Sequence, residues 1–123
     1  MTHHAVQARS YRWEDLSADH PMPKLERRRV VGEKTMVSRV VLDAGCLVPV
    51  HRHENEQISC ILSGRLRFTV GEPGSEREVE LGGGGSLHLP PNVPHGCVAL
   101  EETVVLDIFT PVSERTGIDL VKG

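Results

Sequence analysis

The chain has 123 residues and a mildly acidic net charge of −3, enough for one domain with its own core and without the basic excess that nucleic-acid binding requires. Its 3 cysteines form no C-x-x-C pair, which excludes a disulfide framework and suits a reducing compartment. No run approaches membrane-spanning length and the N-terminus carries no apolar signal segment, so a cytoplasmic protein without membrane contact is expected.

Aromatic residues are only 3% of the chain, so the core must rest on Val, Leu and Ile, and the β-branched members of that set favour strands. Residues 1–24 are polar and broken by His20-Pro21-Met22-Pro23, which reads as an arm with a short edge strand around Tyr11-Arg12-Trp13. Strand patterns then begin. Leu25 to Val31 ends at the turn signal Gly32, and its basic run, Arg27-Arg28-Arg29, reads as the solvated start of that strand. This strand or the arm offers an edge that a second copy would cover. Thr35 to Leu42 follows, with Arg39 either lining the interior or facing solvent. Leu47 to His53, Gln57 to Leu62 and Arg65 to Val70 come next, the last alternating so that Arg65 and Arg67 face water. After the turn Glu72-Pro73-Gly74-Ser75 come Glu78 to Leu81, Ser86 to Leu89, His95 to Leu100 and Thr103 to Thr110. Residues 113–123 form a weakly patterned tail. Many short, closely spaced strands without a convincing long helix predict an all-β sandwich or barrel spanning residues 25–112.

His51 and His53 are spaced i, i+2, which on a strand projects both rings from one face. The turn Glu54-Asn55-Glu56 returns the chain so that Gln57 can face the same point. His95 follows the stiff lead-in Pro90-Pro91-Asn92-Val93-Pro94, which would fix the direction of its ring. His51, His53, Gln57 and His95 together make a set suited to one divalent transition-metal ion, whether Ni, Zn, Mn or Fe. Glu56 is the alternative ligand to Gln57. Gln57 alternates with Ser59 and Ile61, which puts small and apolar groups beside the metal. With neutral imidazoles and a neutral amide the ion keeps its full charge, a stronger Lewis acid that welcomes an anionic ligand.

A second feature is Asp107, the one charged residue in Val104-Val105-Leu106-Asp107-Ile108-Phe109. It shares a strand face with Phe109. A buried carboxylate must be paired, hydrogen-bonded or raised in pKa, and such groups gather at functional sites. The plainer alternative is a wet barrel mouth or an ion pair with an arginine such as Arg39. Cys97 shares parity with His95 and reads as a small buried hydrophobe. His88 faces away from Leu87 and Leu89, toward either pocket or solvent.

These motifs resemble the cupin superfamily. Gly45, His51, His53 and Gly64 match its first motif, with Gln57 where Glu is usual. Gly84, Pro90 and His95 match the second, with Asn92 in place of the turn glycine and Ala99 where Asn is usual. The resemblance implies a jelly-roll β-barrel holding a metal, commonly as a homodimer. Residues 55–64, NEQISCILSG, and 89–109, LPPNVPHGCVALEETVVLDIF, further resemble the small KdgF-type cupins that linearise 4,5-unsaturated uronates. That resemblance implies an anionic sugar acid as substrate, with Asp107 catalytic, Phe109 lining the pocket, and Arg115 or Arg39 holding the substrate carboxylate. Arg115 comes later than the family's arginine, and Ser113 sits nearer its place. The competing functions are a mononuclear metal dioxygenase and a sugar-binding or sensor cupin without turnover.

Overall fold

The computed structural model describes residues 7–112. Nine strands follow one another: β1 (Leu25–Val31), β2 (Met36–Leu42), β3 (Leu47–His51), β4 (Glu56–Ser63), β5 (Arg65–Val70), β6 (Arg77–Gly82), β7 (Ser86–Leu89), β8 (His95–Ala99) and β9 (Thr103–Thr110). They form two antiparallel sheets, β1-β2-β9-β4-β7 and β3-β8-β5-β6. This is the all-β architecture expected from the strand pattern, and the jelly roll that the cupin resemblance implies. Among the described residues no helix is long and apolar enough to cross a membrane.

Period-two alternation selects the inner face. In β2, Met36, Ser38, Val40 and Leu42 are buried while Val37, Arg39 and Val41 are only partly so. In β9 the buried set is Thr103, Val105, Asp107 and Phe109. The core between the sheets is mainly aliphatic, with Ile61, Leu66 and Leu89 almost fully enclosed and Phe68 as its aromatic member. Arg65 and Arg67 do face outward and meet Glu80 and Glu78 on β6.

Two expectations for the N-terminal part change. Tyr11-Arg12-Trp13 is not a strand; Trp13–Asp15 forms a single 3-10 turn, with Glu14 and Asp15 at its start and Arg12 donating to Glu14. The arm joins the sheet further on, through a bridge between Asp19 and Arg27. Nor is the basic run wholly solvated. Arg27 lies on the inner side of β1 opposite Val40 and is 4% exposed, because Asp19 grips it by two hydrogen bonds of 3.0 and 2.7 Å. A two-pronged carboxylate of this kind is what makes a buried guanidinium tolerable.

The β4–β5 corner depends on Gly64. Its φ is +88°, and a Cβ there would run into the carbonyl oxygen of Glu102 and the hydroxyl of Thr103. That same hydroxyl accepts from the Arg65 amide at 3.0 Å, so the crowding is part of how the corner is closed. Gly64→Ala is expected to cost about 2 kcal/mol or more and to lower the melting temperature by roughly 8 °C. Unchanged melting would show that the corner relaxes freely.

Candidate metal centre

The three histidines come from different places and meet at one end of the barrel. His51 closes β3 and His95 opens β8, where the two are direct cross-strand partners. The backbones approach so closely there that a Cβ on Gly96 would lie 2.7 Å from the Val48 carbonyl oxygen. His53 lies just past β3, and its carbonyl accepts a 2.8 Å bond from the Asn92 amide, which ties the two histidine loops together. Asn92 takes the left-handed conformation, φ +65°, in the place expected for a turn glycine. Gln57 reaches the site from β4 in the facing sheet.

The side-chain nitrogens of His51, His53 and His95 lie within 4.8 Å of one another, so these residues could hold a metal ion. Each ring is oriented through Nδ1: His51 to the Pro49 carbonyl at 2.8 Å, His53 to Asn55 at 3.0 Å and His95 to Val93 at 2.9 Å. A carbonyl only accepts, so Nδ1 carries the proton and Nε2 of each neutral ring keeps its lone pair. Burial keeps two of the rings neutral, lowering the pKa of His51 and pushing that of His95 down to about 4. His95 Nε2 is buried with no hydrogen-bond partner. A buried lone pair left this way is costly unless a cation completes it, and the donor set fits that purpose.

The choice between Gln57 and Glu56 follows from the strand faces. Glu56 is exposed and bonds His88 at 2.6 Å on the outside, which also places His88 away from the cavity. Gln57 is buried, with Oε1 3.0 Å from His53 Nε2. Its Nε2 donates to Ser59 Oγ at 2.9 Å, and the Ser59 hydroxyl donates to Asp107 Oδ1 at 2.6 Å. Asp107 therefore faces the same cavity as the histidines, 7% exposed. Desolvation raises its pKa to about 6, against the opposing pull of the bonds from Ser59 and Gln57.

Phe109 also lines the cavity, its ring 5.8 Å from that of His53. Cys97 lines it as well, its thiol pushed up to about 12 by burial and then by Asp107, so it serves as a small neutral wall. Arg39 is not brought to the site. It sits on the outer face of β2, opposite in parity to Ser38 and Val40. Its place on the opposite face also removes it as an ion-pair partner for Asp107, which accepts a hydrogen bond from Ser59 instead. Arg115 lies outside the described residues. The cavity these residues line is about 40 Å³ and partly open to solvent, room for an ion with small ligands beside it. The link the sequence reading missed is Ser59, placed there only as a small neighbour. Its face on β4 is readable from alternation, but its bond to Asp107 depends on the β4–β9 register.

Two packed antiparallel sheets with three inward imidazoles define a small β-barrel protein that could hold a metal ion. The sequence matches the cupin domain family over residues 38–109, and the chain belongs to that family. A comparison with curated proteins finds no match. Among solved structures, an RmlC-like cupin from Shewanella frigidimarina aligns with a TM-score of 0.78 at 24% identity, over 88% of this chain and 95% of that one. KdgF from a Halomonas species aligns with a TM-score of 0.78 at 24% identity, over 88% and 97%. Bacillus subtilis oxalate decarboxylase, an enzyme with Mn(II) centres, aligns with a TM-score of 0.80 at 21% identity, over 93% of this chain but only 33% of its own. At these identities the likeness is one of fold.

The raised Asp107 pKa carries a stability consequence. The folded state holds this proton more tightly than the unfolded chain, so ionisation destabilises the fold as pH rises from 3.8 through about 6. In metal-free protein, Asp107→Asn should therefore be more stable than wild type at about pH 7.5, by up to about 3 kcal/mol. The advantage should shrink to nothing near about pH 4. Chemical denaturation in chelator across this range checks it, and a variant less stable at the upper end would contradict the assignment.

Proposed function

We propose that this cupin is a metal-dependent isomerase that linearises 4,5-unsaturated uronates. One observation carries the reading: a buried carboxyl, Asp107, shares a cavity with three imidazoles whose Nε2 atoms converge. A carboxyl with a pKa of about 6 has both protonation states within reach near neutral pH, as a proton shuttle needs.

His51, His53, His95 and Gln57 would hold one divalent ion. When bound, that ion supplies a Lewis acid that holds and polarises substrate oxygens. The residues themselves do the rest. Asp107 as carboxylate accepts the proton of the anomeric hydroxyl as the ring C–O bond breaks, which leaves an open-chain aldehyde whose former ring oxygen is an enolate. As the acid, it returns that proton to the enolate carbon, and a ketone results. Atoms and electrons balance within the substrate, so no redox partner is required. Ser59 steadies Asp107 by its 2.6 Å bond, and Phe109 supplies an apolar wall against which the ring can lie. With Arg39 on the outer face of β2, Arg115, outside the described residues, is the remaining candidate to hold the substrate carboxylate.

Self-association as a homodimer belongs to the same proposal. Val37, Ile58, Leu106 and Ile108 form a half-exposed apolar patch on the outer face of the larger sheet, in neighbouring register positions.

A second reading is an oxygen-using cupin, since the cavity of about 40 Å³ has room for a diatomic ligand beside an ion. One experiment separates the two: incubation with an unsaturated uronate while enol-ether absorbance and dissolved oxygen are followed together. Loss of absorbance without oxygen uptake is expected. Asp107→Asn should bind metal as wild type does and lose at least about 100-fold in turnover. Oxygen consumption would favour the dioxygenase, and neither signal would favour a binding protein.

A further inference from the structure

We infer that Ser59 is a positioning residue for the metal centre: its hydroxyl decides which end of the Gln57 amide faces the three imidazoles. The inference rests on reading the histidine cluster as a cation site, and it assigns a role to a residue outside the donor set.

The two ends of a glutamine amide are nearly equal in size, so packing alone does not choose between them. Their chemistry is opposite. The oxygen binds a cation, and the NH2 group repels one. At this site hydrogen bonding makes the choice. Asp107 Oδ1 accepts the Ser59 hydroxyl proton at 2.6 Å, a short charge-assisted bond. Once that proton is committed, Ser59 presents only lone pairs to its other neighbour. Gln57 must then turn its NH2 toward Ser59, as it does at 2.9 Å, and its oxygen is left 3.0 Å from His53 Nε2. The Asn55 carbonyl holds the proton of His53 on Nδ1, so the two atoms that face each other are both acceptors. Two acceptors aimed at one place are stable around a cation. Ser59 is 1% exposed, Gln57 6% and Asp107 7%, so solvent does not compete for these bonds.

The fold supplies its own control. Ser38 and Ser59 are both register partners of Asp107, one on β2 and the other on β4. Ser38 is buried to the same degree, 2% exposed, but its hydroxyl has no hydrogen-bond partner. Removing it deletes the same buried atom without touching the Gln57 amide.

The test is Co(II) binding to the full chain, read by calorimetry and by the visible ligand-field spectrum, with no substrate present. Ser59→Ala should weaken Co(II) binding by about 10-fold or more and alter the spectrum, while Ser38→Ala should match wild type in both. Ser59→Thr and Ser59→Val have the same shape and differ in the hydroxyl alone; Thr should restore the wild-type spectrum and Val should not. This pair decides the matter if Ser59→Ala fails to fold. Wild-type affinity and spectrum in Ser59→Val or Ser59→Ala would overturn the inference while leaving the metal site standing. A wild-type protein that binds no Co(II) would overturn the site itself.

Discussion

Three backbone carbonyls govern this molecule's chemistry. The carbonyls of Pro49, Asn55 and Val93 each accept a hydrogen bond from a histidine Nδ1–H, and so turn three Nε2 lone pairs toward a common point. Each carbonyl lies two residues from its histidine, so the orientation is local and costs little additional chain ordering. Lone pairs gathered this way repel one another. The arrangement is favourable around a positive charge, and the buried, unpartnered His95 Nε2 shows where that requirement is greatest. The strands exist, in functional terms, to hold three loops so that these short bonds agree.

The same barrel interior manages a second unfavourable group. Asp107 stands in a strand whose other inward residues, Thr103, Val105 and Phe109, pack in the core. Its charge is opposed by burial and partly relieved by Ser59. A core optimised for stability alone would replace it with an apolar or neutral residue. A carboxyl there costs stability, and burial brings its proton affinity near neutrality, as the proposed proton shuttle requires. The imidazole cluster and the carboxyl are joined through Gln57 and Ser59, so the two costly features form a single network that crosses from one sheet to the other.

Much of this was legible in the residues. Alternation placed β5 and β9 within their observed limits, since each has one wet or half-wet face and one dry one. The H-x-H pair and the proline-stiffened approach to His95 announced convergence, although β3 stops at His51, short of the expected His53, which the Asn92 amide ties in place instead of strand pairing. What was not legible depended on partners distant in sequence. Arg27 looks exposed until Asp19 is brought against it. Arg39 is a charge in an apolar strand just as Asp107 is; only the pairing of β2 with both β1 and β9 shows that the first points out and the second in. Tyr11 and Trp13 have strand-forming side chains, yet Trp13 opens a 3-10 turn with Glu14-Asp15, Tyr11 lies outside any element, and the arm bridges to the sheet further on, at Asp19 and Arg27. Ser59 carried no signal as a residue type, and its part emerges from the β4–β9 register.

On the proposed reading, one cation would sit where three imidazole Nε2 atoms and the Gln57 oxygen converge. Anomalous diffraction from crystals grown with Mn(II) measures this directly. A single strong anomalous peak is expected within about 2.0–2.3 Å of His51, His53 and His95 Nε2 and of Gln57 Oε1. A peak elsewhere, or none with those four atoms left around an empty centre, would contradict it.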